Sequence, residues 1–452
     1  MNGRLHVQRL LIALLRGCRA AACATPIGLL ASPALAQDSG SLAVRGATIH
    51  TLAGADIPNG TVVIQNGRIV AVGANAPVPA GARVIDGTGM HVYPGLFDAA
   101  SQLGLTEIGA VDVTNDMTEL GDFNPHLNAA AAVHPASEHI PVARANGITH
   151  AVSAPQARAG GIGGQATLIN LDGWTIEEMQ VVPSVGIVMN WPRLGMGGFG
   201  FFGGFGEGPP PPRTFREARQ RYEDNVRKIE GWFEAARRYD AATRAGERVP
   251  RDLKLEALAR VTRKELPLLV AANDERDIRN AVEFAEKQGV RIVIAGGSEA
   301  WKVRTLLAEK NVPVITGPTQ ALPSGEDEGY DEMYAAPGLL HQAGVKIAFG
   351  TFGSSDSRTL PYEAGNAVSY GLPREEALRA ITINGAEILG VADQLGTIEV
   401  GKIANLVVTD GDPLEITTQF KHVIIGGREV SLENRHQQLY DRYRSRPKPD
   451  RR

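Results

Sequence analysis

Eight short apolar runs in the middle of the chain constrain its fold more than any other feature. They lie at residues 94–99, 148–154, 166–171, 185–189, 266–271, 291–295, 312–316 and 346–350. Amphipathic stretches such as 275–288 and 299–310 separate the later runs. Short apolar strands that alternate with amphipathic helices are typical of βα units. We therefore predict the α/β class and a (β/α)8 TIM-type barrel over residues 94–393.

Short strands and turns flank this barrel segment on both sides. Residues 37–93 contain several strand-like runs and the dipeptide Asn66-Gly67, which is a strong hairpin signal. Residues 394–432 have the same character. Neither end has enough strands to bury an apolar face alone. We therefore predict that the two ends pair into one small composite β-sandwich beside the barrel.

A motif at the first barrel strand suggests a family. The chain reads Pro94-Gly95-Leu96-Phe97-Asp98-Ala99, shortly after Val84-Ile85-Asp86-Gly87-Thr88-Gly89. This pattern resembles the start of the barrel in the amidohydrolase superfamily, in the branch of imidazolonepropionases and related cyclic-amide and dipeptide hydrolases. The resemblance implies a His-x-His pair directly after the motif, with both imidazoles in the barrel mouth as metal ligands. Here those two positions hold Ala100 and Gln102.

The resemblance extends over nearly the whole chain after residue 36, and it places three further ligand positions. The family's fifth-strand histidine corresponds to Ala271, and its sixth-strand histidine corresponds to Gly296. The aspartate that ends the eighth strand corresponds to Phe352. No fourth-strand ligand is assigned, since the family's lysine near Asn170 has no counterpart here. A divalent ion needs several charged or imidazole ligands, so we expect no metal cofactor and assign no catalytic residue. The alternative is a divalent metal such as zinc at an atypical site.

Polar residues near the expected mouth are candidates for binding a ligand. They are Gln102, Gln165, Asn273, Glu299 and Asp356, with Asp98 and Glu363 as further polar groups in the same region. A relocated metal site from His126, His134 and His139 is a second reading, but their spacing lacks the i, i+4 form of metal-binding helices. Surface or packing histidines are the plainer interpretation. Asp98 belongs to the strand motif and is expected to orient the backbone.

The first 36 residues have the character of a cleaved secretory signal. They carry four arginines and no acidic residue, then an apolar stretch, then Ala34-Leu35-Ala36 as a small-x-small cleavage site. We therefore expect a secreted or periplasmic protein without a stable membrane span. Both cysteines, Cys18 and Cys23, lie inside this segment, so the mature chain has neither disulfides nor thiol ligands. Loss of the four arginines changes the formal charge from −4 to −8, which argues against nucleic acid as a partner.

Two further segments have unusual composition. Residues 195–213 are rich in Gly, Phe and Pro and follow the candidate fourth strand, where they form either a flexible surface loop or a lid. The highly charged segment 214–243 is expected to form a solvated or partner-facing helix. Residues 433–452 are expected to form a charged tail, disordered from Arg442 onward.

Two functions remain open from the sequence. The first is a secreted, catalytically degenerate member of the superfamily. It would be a small-molecule-binding scaffold, or a partner subunit in a homo-oligomer or in a hetero-oligomer with an active amidohydrolase paralogue. The second is an active hydrolase of non-peptide C–N bonds, as in cyclic amides, or of dipeptide-like substrates. It would need an atypical or partner-supplied metal site.

Overall fold

The computed structural model describes residues 40–194, 214–323 and 328–447. The predictions for the signal segment 1–36 and for the Gly/Phe/Pro-rich segment 195–213 lie outside these ranges. In chain order the strands are β1 (Ser41–Ile49), β2 (Ile57–Gln65), β3 (Arg68–Gly73), β4 (Arg83–Asp86), β5 (His91–Pro94), β6 (Leu96–Ser101), β7 (Ile148–Ser153), β8 (Ile162–Asn170), β9 (Gln180–Asn190), β10 (Leu268–Ala272), β11 (Ile292–Gly296), β12 (Val314–Thr316), β13 (Ile347–Phe349), β14 (Leu406–Thr409), β15 (Phe420–Ile425) and β16 (Arg428–Val430). The α-helices are α1 (His139–Ala145), α2 (Ile176–Met179), α3 (Phe215–Arg244), α4 (Leu253–Thr262), α5 (Glu275–Gln288), α6 (Arg304–Glu309), α7 (Glu332–Gln342), α8 (Leu360–Ser369), α9 (Arg374–Ala380), α10 (Ile383–Ile388) and α11 (Arg435–Arg444). None of these helices is both long and apolar enough to cross a bilayer.

The predicted barrel is confirmed. Strands β6 to β13 form one sheet in which each strand pairs with its neighbours in sequence. Its two edge strands come together, because the Phe352 amide donates to the Ala100 carbonyl at 2.8 Å and the Gln102 amide donates to the Gly353 carbonyl at 3.1 Å. Apolar side chains from these strands, including Leu269 and Val293, fill the interior as one cluster. The interior is therefore a packed core, as in other TIM-type barrels.

One strand departs from the parallel pattern expected for βα units. Strand β8 runs antiparallel to both β7 and β9. Only residues 154–161 connect β7 to β8, and a parallel crossover needs about a dozen residues or more. The chain therefore turns back directly at the top of the barrel, so the second βα unit lacks its helix.

The chain ends join as predicted, although in one continuous sheet. Its strand order is β16-β15-β14-β5-β1-β2-β3, and β4 pairs with β1. The junction is the antiparallel pairing of β5 with β14, in which Val92 lies opposite Val408. Hydrogen bonds connect all eight strands of this sheet, where the sequence suggests two separate layers. Its apolar side chains form a cluster of their own, which includes Ile49 and Ile424.

Two charged segments are more ordered or more closely packed than their composition indicates. Helix α3 buries Ile229 and Phe233 against the body of the protein, and the Phe233 ring meets Phe284 of α5 edge-on at 5.4 Å. This helix is therefore part of the outer layer and is solvated on one side only. In the segment expected to be a charged tail, residues 435–444 form α11.

Candidate functional site

The candidate site is the mouth of the barrel, where the parallel strands end. Ala271 and Ala295 lie opposite each other on β10 and β11, and alternation gives them the same inward face as the apolar residues two positions earlier. An added β-carbon at Gly350 would lie 2.9 Å from the Ala100 β-carbon, so these two residues also face each other across the inner wall. The interior layer nearest the mouth is therefore lined by the methyl groups of three alanines and by Gly350, which has no side chain.

The sixth-strand position is shaped for glycine. Gly296 has a φ of +93°, in the left-handed region that side-chain-bearing residues rarely adopt. An added β-carbon there would lie 2.5 Å from Oδ1 of Asn273. The Asn273 side chain thus occupies the space into which a side chain at position 296 would extend. An imidazole would require both a strained backbone and displacement of Asn273.

The eighth-strand position holds an aromatic side chain in a strained conformation. Phe352 has a φ of +53°, which is unusual for a bulky residue and costs about 1–3 kcal/mol. Its side chain is half-buried and packs against the interior cluster. This position therefore extends the apolar core toward the mouth.

Asp98 lies in the seam between the first and last barrel strands. Its carboxylate accepts hydrogen bonds from the Thr351 amide (3.1 Å), the Thr351 hydroxyl (2.5 Å) and the Ser357 hydroxyl (2.8 Å). The Ala100 amide is a fourth donor at 3.3 Å. Burial raises the pKa of Asp98 to about 6, against the lowering effect of these donors. The side chain is fully buried, so it binds the closing strands together and is not available to a ligand.

Glu363 is a second buried carboxylate with a similar arrangement. It accepts from the Thr319 hydroxyl at 2.6 Å and from the Gln320 amide at 2.9 Å. These contacts attach the loop after β12 to α8. Glu363 is 4% exposed, and its contacts give it a structural role.

Two of the predicted binding residues lie on the segments that follow the closing strands. Gln102 comes directly after β6, is half-buried, and makes no side-chain hydrogen bond to any residue that the structure describes. Asp356 follows β13, is exposed, and accepts a hydrogen bond from the Ser355 hydroxyl at 3.3 Å. Gln102 therefore has its amide available for a ligand.

Asn273 and Glu299 are brought together, as their positions after adjacent strands predict. The Glu299 amide donates to the Asn273 carbonyl at 3.0 Å. The Glu299 carboxylate accepts from the Glu275 amide at 2.6 Å, at the start of α5, and from Lys302 Nζ at 2.7 Å. Burial raises the pKa of Glu299, but hydrogen bonds from the Lys302 side chain and the Glu275 amide together lower it by more. The net shift of this pKa is therefore downward. Glu299 is thus engaged by a helix terminus and a lysine.

Gln165 is not brought to the mouth. Neighbouring Ala166 on β8 belongs to the interior cluster, so Gln165 lies on the outer face. Its Nε2 donates to the Pro125 carbonyl at 3.3 Å, and its Oε1 accepts from Arg260 of α4 at 3.2 Å. These contacts attach the segment around residue 125 and α4 to the barrel wall.

The structure also locates the histidines of the alternative metal site. His139 Nε2 lies 2.9 Å from the Glu107 carbonyl, and His126 Nδ1 is buried without a hydrogen-bond partner among the described residues. Across residues 40–194, 214–323 and 328–447, no group of three or more His, Cys, Asp or Glu side chains is arranged to hold a metal ion. The expected ligand positions at the mouth offer methyl, phenyl and amide groups, which are poor donors for a divalent cation, and the Glu299 and Asp356 carboxylates belong to no cluster of three candidate ligands among the described residues. The residues present therefore do not fit the metal that the resemblance implies.

One buried acid near the mouth carries no signal in the sequence. Asp277 lies in the first turn of α5, directly after the fifth barrel strand, and is 4% exposed. Burial raises the pKa of Asp277 to about 6, and Asp274 adds to the effect while Arg193 and Arg276 oppose it. In the sequence, Asp277 has the same character as the exposed charged residues of this amphipathic helix. Only the packing of α5 against the barrel shows that it is buried.

Comparison with known proteins supports one family. Residues 280–430 match the profile described as the Amidohydrolase family. The amidohydrolase tasK of Hapsidospora irregularis is 25% identical over 395 residues, which cover 81% of this chain and 39% of that protein. An imidazolonepropionase of Porphyromonas gingivalis is 34% identical over 134 residues, which cover 27% of this chain and 30% of that protein. The match thus spans less than half the length of either curated relative.

A solved structure extends the similarity to the whole fold. The crystal structure of an amidohydrolase from Thermotoga maritima MSB8 superposes with a TM-score of 0.73 at 29% sequence identity. The superposition covers 86% of this chain and 99% of that chain. Both the barrel and the sheet formed by the chain ends therefore have a counterpart in one known protein.

Proposed function

The chain belongs to the amidohydrolase superfamily, and from this premise we propose that it acts by binding and not by metal-assisted hydrolysis. It is a secreted or periplasmic, catalytically degenerate member, exported by a signal segment cleaved after Ala36. Its barrel serves as a scaffold for a small molecule, either alone or as the partner subunit of an active relative. The observation that carries the proposal is the apolar inner layer at the mouth, where Ala100, Ala271 and Phe352 stand at expected ligand positions.

The chemistry of hydrolysis supports this reading. An amide resists attack by neutral water, whose pKa is about 15.7, unless a cation or a well-placed base activates it. Asp98 is a base by type, but four donors occupy it and no ligand reaches it. Glu299 is likewise engaged by Lys302 and by the start of α5. Asp356 is exposed to solvent, and Asp277 is buried in the first turn of α5, so neither is a carboxylate held beside the apolar inner layer.

The chemistry of the mouth also favours one class of ligand. Methyl side chains disfavour charge, because an ion there would lose its hydration without gaining a partner. The amides of Gln102 and Asn273 can each donate and accept hydrogen bonds. A neutral molecule with an amide-like edge and an apolar body, such as a cyclic amide, is complementary to this surface.

An active hydrolase is the second candidate, favoured by the names of the relatives, which are an amidohydrolase and an imidazolonepropionase. It would act on non-peptide C–N bonds of cyclic amides or on dipeptide-like substrates. It would require a metal site completed by a partner chain or by unrecognised residues.

Metal content and turnover, measured together, separate the two candidates. The mature protein is purified without chelators, and its zinc, iron, manganese and nickel are quantified by mass spectrometry. Hydrolysis of cyclic amides and dipeptides is then assayed with and without added zinc. We expect less than about one tenth of an equivalent of metal and no metal-dependent turnover. About one equivalent of tightly held metal, whose removal abolishes hydrolysis, would replace our proposal with the second candidate.

Thermal-shift screening with cyclic amides tests the binding role. A ligand at 100 times its dissociation constant stabilises the protein by about 2.7 kcal/mol. We expect the shift to disappear in Gln102→Ala and to persist in Gln165→Ala, a matched glutamine on the outer face. Equal loss in both variants would place the ligand elsewhere. Co-purification with an active paralogue from the native cell would select the partner-subunit form of the proposal.

A further inference from the structure

Two surface segments of opposite charge lie outside the barrel mouth, and the proposed function uses neither. The first is an acidic loop, residues 105–122, which carries Glu107, Asp112, Asp116, Glu119 and Asp122 and neither Lys nor Arg. It also exposes large apolar side chains, since Val113 is 91% and Leu120 is 85% exposed. Hydrogen bonds from the Thr114 hydroxyl to the Val111 and Ile108 carbonyls hold the loop in shape. The loop is therefore an ordered, acidic and partly apolar projection.

The second segment is the basic helix α11. Arg435, Arg442 and Arg444 lie on it and Arg446 follows it, against the single acid Asp441. None of its residues is buried. Tyr440 and Tyr443 are 58% and 48% exposed, and arginine side chains lie over both rings. A helix of this length is marginal by itself, and this one has almost no core of its own. Exposed Tyr and Arg side chains are the types that most often dominate protein interfaces.

The short helix α1 places both segments on one side of the molecule. The Glu107 carboxylate accepts from the Glu138 amide at 3.3 Å, and His139 Nε2 lies 2.9 Å from the Glu107 carbonyl, at the start of α1. Helix α11 also packs against α1. Because α1 has seven residues, it is only about 10 Å long. The base of the acidic loop and the basic helix are therefore close neighbours.

These neighbouring charges do not neutralise each other within one chain. The described part of the chain contains many ion pairs, but none of them involves the five acids of the loop or the four arginines of the α11 region. Apart from Glu107, whose carboxylate is turned toward the start of α1, both charge sets remain available for a partner. Any partner surface that satisfied both would itself need a basic aromatic segment next to an acidic apolar one. A second copy of this chain has that pair of surfaces.

We propose that the protein forms a two-fold symmetric dimer in which the acidic loop of each copy contacts α11 of the other. Two-fold interfaces use the same patch twice, so two adjacent patches of opposite sign are self-complementary. The arrangement would cover the exposed Val113 and Leu120 side chains with the Tyr440 and Tyr443 rings. The inference stands independently of the proposed function, since it involves no mouth residue.

Charge reversal followed by mixing tests the dimer. Mass is measured by light scattering after size exclusion, for the mature wild type, for the loop variant Asp112→Lys with Asp116→Lys, and for the helix variant Arg442→Glu with Arg444→Glu. We expect a wild-type dimer that weakens with salt and a dissociation constant at least about tenfold higher for each variant. In an equimolar mixture, each reversed loop meets a reversed helix and each native loop meets a native helix. We therefore expect the mixture to form a heterodimer.

The controls make every outcome informative. Arg216→Glu with Arg219→Glu reverses two exposed arginines on α3 and should leave the dimer unchanged. A monomeric wild type, variants as dimeric as the wild type, or a mixture that stays monomeric would overturn the proposal. Binding of a monomeric wild type to phosphatidylserine vesicles, lost in the helix variant, would assign α11 to a membrane surface instead. Restored assembly in the mixture also proves that both variants are folded.

Discussion

Asp98 and Ala100 lie two residues apart on the same barrel strand and have opposite surroundings. Asp98 is fully buried, and four donors surround its carboxylate. Ala100 faces Gly350 across the inner wall and offers no polar atom from its side chain. Polar groups in the seam that closes the barrel thus have hydrogen-bond partners, whereas polar side chains are few in the mouth, where a substrate would bind. The difference indicates that the polar groups near this end serve the fold.

Other charges at the same end follow this division. Glu363 attaches the loop after β12 to α8, and Glu299 binds the start of α5 together with Lys302. Each carboxylate satisfies backbone amides that would otherwise be unpaired. The mouth, in contrast, keeps Gln102 without a side-chain partner among the described residues. Removing a paired carboxylate in the seam should therefore cost stability, whereas removing the unpaired Gln102 side chain in the mouth should mainly affect binding.

The largest effect is expected for Asp98→Ala. The change leaves the Thr351 amide and the Thr351 and Ser357 hydroxyls without an acceptor in a buried site. Each buried unpaired donor costs about 1–3 kcal/mol, so we expect a total loss of about 4 kcal/mol in the free energy of unfolding. Denaturant unfolding followed by circular dichroism measures this loss.

Two matched variants sharpen that comparison. Asp356→Ala removes an exposed carboxylate from the same end of the barrel and should change the free energy of unfolding by less than about 0.5 kcal/mol. Gln102→Ala in the mouth should change it by less than about 1 kcal/mol, because its amide makes no hydrogen bond within the described chain. A loss in Gln102→Ala as large as in Asp98→Ala would remove the distinction between seam and mouth.

The pH dependence of stability separates two buried groups whose pKa values shift in opposite directions. Burial lowers the pKa of His150 to about 3, with its Nε2 unpaired. The unfolded chain therefore binds more protons than the folded chain between pH 6.5 and 3, and stability falls as the pH falls through this window. Asp98, with its pKa raised to about 6, has the opposite effect, and its contribution is lost as the pH rises from 3.8 to 6. The two slopes, each about 1.4 kcal/mol per pH unit, oppose each other between pH 4 and 6.

Replacing His150 should leave only the Asp98 contribution of the two to the pH dependence of stability. His150→Gln removes the group whose protonation destabilises the folded state at low pH. As the pH falls from 7 to 4.5, the free energy of unfolding of the variant should therefore rise by about 3 kcal/mol relative to that of the wild type. Unfolding free energies of both proteins are measured across this range and subtracted. Parallel curves for the two proteins would show that His150 keeps an ordinary pKa in the folded state.

The barrel could be predicted from sequence because strand and helix periodicities are local. The runs predicted at 266–271 and 291–295 became β10 (Leu268–Ala272) and β11 (Ile292–Gly296), and pairing of the two chain ends followed from their shortage of strands. Strand direction is different, because it depends on the length of the connection. The antiparallel β8 follows from a linker of residues 154–161. The outward position of Gln165 follows instead from alternation, because its neighbour Ala166 points inward.

Side-chain partners near the mouth could be predicted only in part. Asn273 and Glu299 follow adjacent strands, so their proximity was foreseeable, and they do meet through a backbone hydrogen bond. The Glu299 carboxylate binds Lys302 and the first amide of α5. These contacts depend on how the segment after β11 turns, and sequence periodicity does not predict that turn. Asp277 likewise needed the packing of α5 to reveal its burial.

The last predicted effect concerns the mouth itself, at Gly296. Gly296→Ala combines a left-handed backbone with a β-carbon 2.5 Å from Asn273 Oδ1, so we expect a loss of about 2 kcal/mol. Gly344→Ala is the control, because Gly344 has a φ of +85° with no atom within 4 Å of an added β-carbon, and it should cost only about 1 kcal/mol. Adding Asn273→Ala to Gly296→Ala should recover about 1 kcal/mol, since the contact then disappears and the backbone cost stays. Thermal unfolding of the wild type, Gly296→Ala, Asn273→Ala and the double variant measures the coupling, and Gly344→Ala is measured beside them. If Asn273→Ala recovered nothing, the asparagine would not be what occupies this part of the mouth, and an imidazole at position 296 would face backbone strain alone.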